Sequence, residues 1–176
     1  GFNDRQVEIA ALLIIARLVH PGSERRIYSW CQNISALDEL MKTDFSHLSL
    51  NSLYQVGDLI LENKPAIESH LREKERDLFN LDETIILYDL TNTYLEGLAL
   101  SNPKAKFSKS KEKRNDCRLL TLGLVLDGKG FPKTSAVFAG NQSECKTLLD
   151  MVNRLIQKDP TRKTTEKPTV VIDAGI

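Results

Sequence analysis

Two aspartates are the last residues of apolar runs in the sequence. Packing alone does not explain a carboxylate at such a position. Asp89 ends the run Thr84–Asp89, and Asp173 ends the run Thr169–Asp173. A carboxylate in such a place is costly unless it is hydrogen-bonded, paired or bound to a cation. If the two runs are neighbouring parallel strands, the carboxylates lie at the same end of a sheet, about 5 Å apart. Two like charges at that spacing favour a divalent cation, and Mg²⁺ prefers carboxylates together with water and phosphate oxygens.

Each aspartate taken singly also fits a simpler role as a turn residue. An Asp after a strand commonly accepts a hydrogen bond from the backbone two residues on, or caps a helix. Thr91 after Asp89 and Ala174 after Asp173 suit such a turn. A metal site is favoured only by the two aspartates together, on neighbouring parallel strands and beside a basic segment. In that case Thr91 and Asn92 are placed to orient Asp89 or a phosphate.

The first eighty residues are predicted to be helical, because apolar side chains recur every three or four positions between turn residues. Four helices are expected: from Asn3 or Asp4 to Val19, from Ser23 to Met41, from Ser49 to Glu62, and one that begins at Pro65. We therefore assign residues 1–80 to a helical region.

After residue 80 the apolar pattern becomes that of strands. The expected elements are a strand at Thr84–Asp89 buried on both faces, strands at Arg118–Leu126, Phe131–Phe138 and Thr169–Asp173, and a helix at Glu144–Gln157. A hairpin turn is predicted at Asp127–Gly130, and the polar stretch Asn92–Asp116 is expected to interrupt the sheet. A crossover helix can return the chain parallel to an earlier strand. Residues 81–176 thus predict an α+β or α/β domain with a mixed sheet, in which three antiparallel strands are followed by a helix and a fourth strand parallel to the first.

The zero net charge of the chain hides an uneven distribution. Totals of 24 Lys and Arg and 24 Asp and Glu argue at first against a nucleic-acid binder. Residues 1–100, however, carry 9 basic against 16 acidic side chains, and residues 101–176 carry 15 against 8. The basic cluster between residues 102 and 118 consists of Lys104, Lys106, Lys109, Lys111, Lys113, Arg114 and Arg118. This segment is either an exposed surface loop or an element that contacts the phosphates of a nucleic acid.

Composition and cysteine usage bound the class of protein. With 41% hydrophobic and 27% charged residues, the chain has the composition of an ordinary globular protein. Its three cysteines have no CxxC spacing, which argues against a disulfide framework or a zinc knuckle and predicts a cytoplasmic protein. The longest apolar run, Ala10–Ala16, is far shorter than the roughly 20 residues that span a membrane.

At this point the motifs, in their order along the chain, resemble those of the catalytic domain of bacterial insertion-sequence transposases of the DDE type. The matching segments are Tyr88–Tyr94, Glu96–Gly97, Ser108–Lys111, Lys113–Asp116, Leu122–Pro132, Phe138–Asn141 and Val171–Gly175. Upstream, His20–Glu24 and Ser35–Leu40 are similar to the helical region that precedes that domain. The resemblance spans nearly the whole chain, and the ordered set is far more specific than any one motif.

The resemblance implies an RNase H-like fold and a two-metal phosphoryl-transfer enzyme that cuts transposon ends and joins them to target DNA. Asp89 matches the first acid of the family's triad and Asp173 the second, and together they would hold two Mg²⁺ ions, or Mn²⁺. The implied partners are DNA, as transposon ends and target, and the family allows a second copy of the chain in a synaptic complex. The third acid, a Glu on a later helix, has no counterpart, because the sequence stops three residues after Asp173. We therefore expect a C-terminally truncated domain that is inactive alone.

Two other classes of protein are weighed against this one. A non-catalytic remnant that binds DNA or a transposase partner fits a chain with two of three acids. An actin-like ATP-using kinase also places an Asp on its first strand, but needs a glycine-rich phosphate hairpin directly after it. The residues 89–93 contain no glycine, which argues against the kinase.

Overall fold

The structure is a computed structural model that describes residues 1–79, 85–108, 116–157 and 169–172. The helices are α1 (Asp4–Val19), α2 (Glu24–Asn33), α3 (Leu37–Met41), α4 (Leu50–Glu62), α5 (Lys64–Phe79) and α6 (Glu144–Gln157), and the strands are β1 (Ile85–Leu95), β2 (Arg118–Asp127), β3 (Pro132–Ala139) and β4 (Thr169–Ile172). The chain forms two compact units, residues 1–67 and 68–176, so the division falls within α5. Among the described residues, no helix is both long and apolar enough to cross a membrane.

In the first unit, side-chain caps start α1, α2 and α4 at the predicted places. The Asn3 side chain accepts a hydrogen bond from the backbone of Gln6, whose side chain accepts one from Asn3 in return. Ser23 and Ser49 cap α2 and α4. The buried residues of this unit form one hydrophobic core, made of Ile9, Leu12, Leu13, Ala16, Ile27, Cys31, Leu37, Phe45, Leu48, Leu53 and Val56.

The single helix predicted from Ser23 to Met41 is wrong, because the segment forms two helices, α2 and α3. The backbone N–H groups of Ile34 and Ser35 both donate to the carbonyl of Trp30, and the Ser35 hydroxyl accepts from the N–H of Leu37. A serine that hydrogen-bonds nearby backbone competes with the helix. This local bonding separates α2 from α3.

The four strands form one sheet in the order β3-β2-β1-β4. β1 and β2 are antiparallel, as are β2 and β3. β4 runs parallel to β1, with Ile85 opposite Thr169 and Tyr88 opposite Ile172. The predicted strand directions, and the parallel contact between the first and last strands, are confirmed.

β1 is longer and less buried than predicted. It continues to Leu95 through residues assigned from sequence to a polar interruption, since it pairs with β2 as far as Leu95 opposite Arg118. Thr91, Thr93 and Tyr94 have the β-branched or aromatic side chains that suit a strand. The expected burial on both faces is wrong: burial alternates along β1, so one face of the strand is covered and the other is open.

Helix α6 lies on what we call the covered face of the sheet. The apolar core there consists of Ile86, Tyr88, Leu90, Val125, Ala136 and Met151. The Tyr88 hydroxyl lies 2.7 Å from the Thr147 hydroxyl of α6. Gly123 leaves room for this packing, because a Cβ at that position would come within 2.9 Å of the Phe138 ring. The opposite side, which we call the open face, carries Leu87, Asp89, Thr91, Leu122, Leu124, Val137 and Val171.

Helix α5 covers the outer edge of β3. The Glu68 carboxylate accepts hydrogen bonds from the backbone N–H of Ser135 and from the hydroxyls of Ser135 and Thr134. Arg72 donates to the carbonyl of Lys133. An edge strand with unpaired backbone groups is a template for pairing with another chain. Side chains of α5 therefore close part of this edge.

The turn between β2 and β3 holds a buried charge pair that the sequence does not reveal. Asp127 accepts hydrogen bonds from the backbone N–H groups of Lys129 and Phe131, within the predicted hairpin turn. Its second carboxylate oxygen lies 3.3 Å from Nζ of Lys133, and both side chains are buried. Burial raises the pKa of Asp127, but the hydrogen bonds from Phe131 and Lys129 and the Lys133 charge together hold this pKa below its ordinary value.

Candidate functional site

Asp89 lies within β1, on the open face of the sheet. Its partner on β2 is Leu124, and its side chain is exposed, whereas the adjacent Tyr88 and Leu90 are buried on the covered face. The strand continues to Leu95, so the turn interpretation of Asp89 does not hold. Within the described residues, the Asp89 side chain has no hydrogen bond and no ion pair. Its charge is therefore accessible to a cation or a ligand.

In the sequence, the second predicted acid, Asp173, directly follows β4. Ile172, the last residue of β4, is opposite Tyr88 in the parallel register. The residue before Asp89 is thus paired with the residue before Asp173. Asp173 itself lies outside the described residues. The direction of β4 is the one that a shared site at Asp89 and Asp173 requires.

Thr91 and Asn92, predicted to orient Asp89 or a phosphate, lie on different faces. Side chains alternate along a strand, so Thr91 shares the open face with Asp89. Asn92 is half-buried on the opposite side, where its side-chain oxygen accepts a hydrogen bond of 2.9 Å from the Thr121 hydroxyl. Thr91 is the one of the two that lies beside Asp89.

A cation at Asp89 needs further ligands. No three His, Cys, Asp or Glu side chains converge on a metal-sized site among residues 1–79, 85–108, 116–157 and 169–172. On the open face, Asp89 supplies a carboxylate and Thr91 a hydroxyl oxygen, both hard ligands of the kind that Mg²⁺ takes. A cation at Asp89 would therefore need a second acid and water besides these two residues.

The described part of the basic segment is held firmly against β2. The N–H of Lys106 donates to the carbonyl of Leu119 at 3.1 Å, and the N–H of Leu119 donates back to the carbonyl of Lys106 at 2.8 Å. Arg118 donates to the carbonyl of Ala105. Lys106 is exposed and Arg118 half-buried, which leaves both charges near the surface. The remaining predicted DNA-binding residues lie outside the described residues: Lys109, Lys111, Lys113 and Arg114.

One residue of this segment is missed by the sequence reasoning. Phe107 has 57% of its surface exposed, and the Arg118 guanidinium lies over its ring, 5.1 Å from the centroid. This distance is that of a cation–π contact. The signal available in the sequence is an aromatic residue inside a run of lysines, a combination typical of surfaces that stack nucleic-acid bases.

Comparison of the chain with known protein families, curated proteins and solved structures finds no match. Function must therefore be argued from the residues and their geometry.

Proposed function

We propose that the chain is the DNA-processing domain of a DDE-type transposase with an RNase H-like fold, whose divalent-cation site contains Asp89 and Asp173. The observation that carries the proposal is the parallel register of β1 and β4. Tyr88 is opposite Ile172, and the next residue on each strand is an aspartate. If the pairing continues by one residue, the two carboxylates lie about 5 Å apart on neighbouring strands.

The residues fit the chemistry of phosphoryl transfer. Asp89 and Asp173 would hold Mg²⁺ or Mn²⁺, two ions in the complete enzyme, and the bound cation supplies an activated water and stabilises charge on the phosphate. Lys106 and Arg118 contact the DNA backbone and fix its position. The substrates are the transposon ends and the target DNA, handled in the cytoplasm by a chain that can act as a dimer.

The metal site is tested by thermal unfolding with and without Mg²⁺ or Mn²⁺. A ligand that binds only the folded state raises its stability, by about 2.7 kcal/mol at a hundredfold excess over Kd. We expect a rise in Tm for the wild type, and no rise for Asp89→Asn or Asp173→Asn. Asp58→Asn, at an exposed position of α4, is the matched control and should respond as the wild type does. A wild-type Tm that neither metal changes would overturn the shared site.

A cleavage assay separates catalysis from binding alone. The family's third acid has no match in the 176 residues, so we expect this chain to bind a transposon end without cutting it. Metal-dependent cutting that Asp89→Asn abolishes would show that another acid completes the site. DNA binding with no metal response in any variant would favour the non-catalytic remnant.

A further inference from the structure

The segment before Phe107 is fixed to the sheet on two sides. Besides the Lys106–Leu119 pair, the N–H of Gly140 donates to the carbonyl of Lys104 at 3.0 Å. A Cβ at Gly140 would lie 2.1 Å from the carbonyl oxygen of Leu119, so only glycine permits this close approach. Lys104 is bound again through its side chain, whose Nζ donates to the carbonyl of Val137 at 2.7 Å. The backbone that carries Phe107 is therefore anchored.

An anchored segment with a largely exposed aromatic ring calls for an explanation. Burial of a Phe side chain is favourable, yet Phe107 remains 57% exposed. The Arg118 guanidinium lies over its ring and is itself bound to the Ala105 carbonyl. The result is a planar apolar surface held beside the cations of Arg118 and Lys106.

We propose that Phe107 is a stacking platform for an unpaired base of a DNA strand, whose phosphates are contacted by Lys106 and Arg118. A base can stack on a side chain only when its face is free, which selects single-stranded or locally unpaired DNA over an intact duplex. The cations beside the ring complement the phosphates that accompany the base. This inference rests on the proposed function, because it takes DNA as the ligand.

The platform lies on the same side of the sheet as Asp89. Arg118 is opposite Leu95, six residues along β1 from Asp89, and the even spacing keeps both on the open face. Six residues of strand correspond to about 20 Å. At the rise of duplex DNA, about 3.4 Å per nucleotide, this distance corresponds to roughly six nucleotides between the unpaired base and the phosphate at Asp89.

The test measures binding of a labelled oligo(dT) to the full chain in EDTA, without metal. Base stacking on an aromatic side chain contributes enough that Phe107→Ala should weaken binding roughly tenfold or more. Phe107→Leu, which keeps the apolar volume, should lose a similar factor. Phe107→Trp should retain affinity, and DNA should quench its fluorescence beyond that of the single native Trp30. Leu100→Ala removes an apolar residue that is 71% exposed and is the control that should bind as the wild type does.

Three outcomes would overturn the platform. If Phe107→Ala and Leu100→Ala bind the oligonucleotide with equal affinity, the Phe107 ring has no part in binding. The proposed DNA function would still stand in that case, provided that the wild-type affinity depends on salt. A shift of oligomeric state in Phe107→Ala with unchanged DNA affinity would make Phe107 a protein contact. If the wild type binds no DNA, the inference fails, and the metal response of Asp89, measured without DNA, decides separately on the metal site.

Discussion

The two faces of the sheet differ in how far their side chains are buried and in whether a charged side chain can reach water. On the covered face Val125 and Met151 are fully buried, and the buried Tyr88 hydroxyl has a partner on α6. On the open face Val137 is 45% exposed, and Asp89 carries a charge where water reaches it. Burial of an unpaired charge is costly, whereas an exposed one is not. The covered face therefore carries the stability of this unit, and the open face has room for function.

The largest effect is expected where α6 meets the covered face. Met151→Ala removes a fully buried side chain and leaves a cavity, so the free energy of unfolding should fall by about 2–5 kcal/mol. Urea denaturation measures this loss. Val171→Ala, on the open face, is the control and should cost less than half as much. Equal losses would mean that the two faces do not differ.

The next effect concerns the buried charges at the β2–β3 turn. Asp127→Asn keeps an acceptor for the turn but removes the negative partner of Lys133, and we expect a loss of about 1–3 kcal/mol at pH 7. Glu75, 3.7 Å from Lys133, remains as a second partner. The double variant Asp127→Asn with Lys133→Met should recover part of the loss, since it also removes the buried cation that Asp127→Asn leaves without its nearest anionic partner.

The same carboxylate makes stability depend on pH. The pKa of Asp127 is lower in the folded chain than its ordinary value, so ionised Asp127 stabilises the fold above about pH 4. This stabilisation is lost as the pH falls through the lower, folded-state pKa. The difference between the wild type and Asp127→Asn should therefore shrink when urea denaturation is repeated toward pH 3. A difference that stays constant would mean that Asp127 acts only as a hydrogen-bond acceptor.

A smaller effect is expected at the hydroxyl pair between β1 and α6. Tyr88→Phe removes one partner of a buried 2.7 Å hydrogen bond, which should lower stability by about 0.5–1.5 kcal/mol. Thr147→Val removes the other. A double-mutant cycle over these two variants measures their coupling energy. A coupling energy of zero would mean that this hydrogen bond does not stabilise the covered face.

The smallest effect is expected from Val137→Thr, for which Val125→Thr is the matched comparison. Val137→Thr on the open face should change stability by no more than about 0.5 kcal/mol, because its new hydroxyl reaches water. Val125→Thr on the covered face buries the same hydroxyl at a fully buried position and should cost at least about 1 kcal/mol. Equal costs in thermal or urea unfolding would contradict the assignment of the two faces.

Much of the fold follows from the sequence alone. Helix caps at Asn3, Ser23 and Ser49, the bounds of α6, and the parallel return of β4 are local or topological features that periodicity encodes. The extension of β1 is not encoded in this way. Residues 92–95 begin a stretch that is polar as a whole, and only their pairing with β2 shows them to be a strand.

The site is less predictable than the fold. The importance of Asp89 follows from a carboxylate beside apolar residues, but its position within a strand depends on tertiary pairing. Lys133 and Glu75 are brought together by the packing of α5 on the hairpin, which no local pattern predicts. Phe107 is exposed because the backbone beside it is fixed through Leu119, a contact between segments that are distant in sequence.

The unbroken pairing of β1 with β2 fixes the distance along the sheet between Asp89 and Arg118. Adding two residues to each strand between Asp89 and Arg118 would keep every side chain on its face and lengthen the span by about 7 Å, or roughly two nucleotides. Adding one residue to each would turn Arg118 to the other side of the sheet. If the proposed platform and the proposed cation site bind one DNA strand, strand length would set the spacing between them, and this length can change only in steps of two residues.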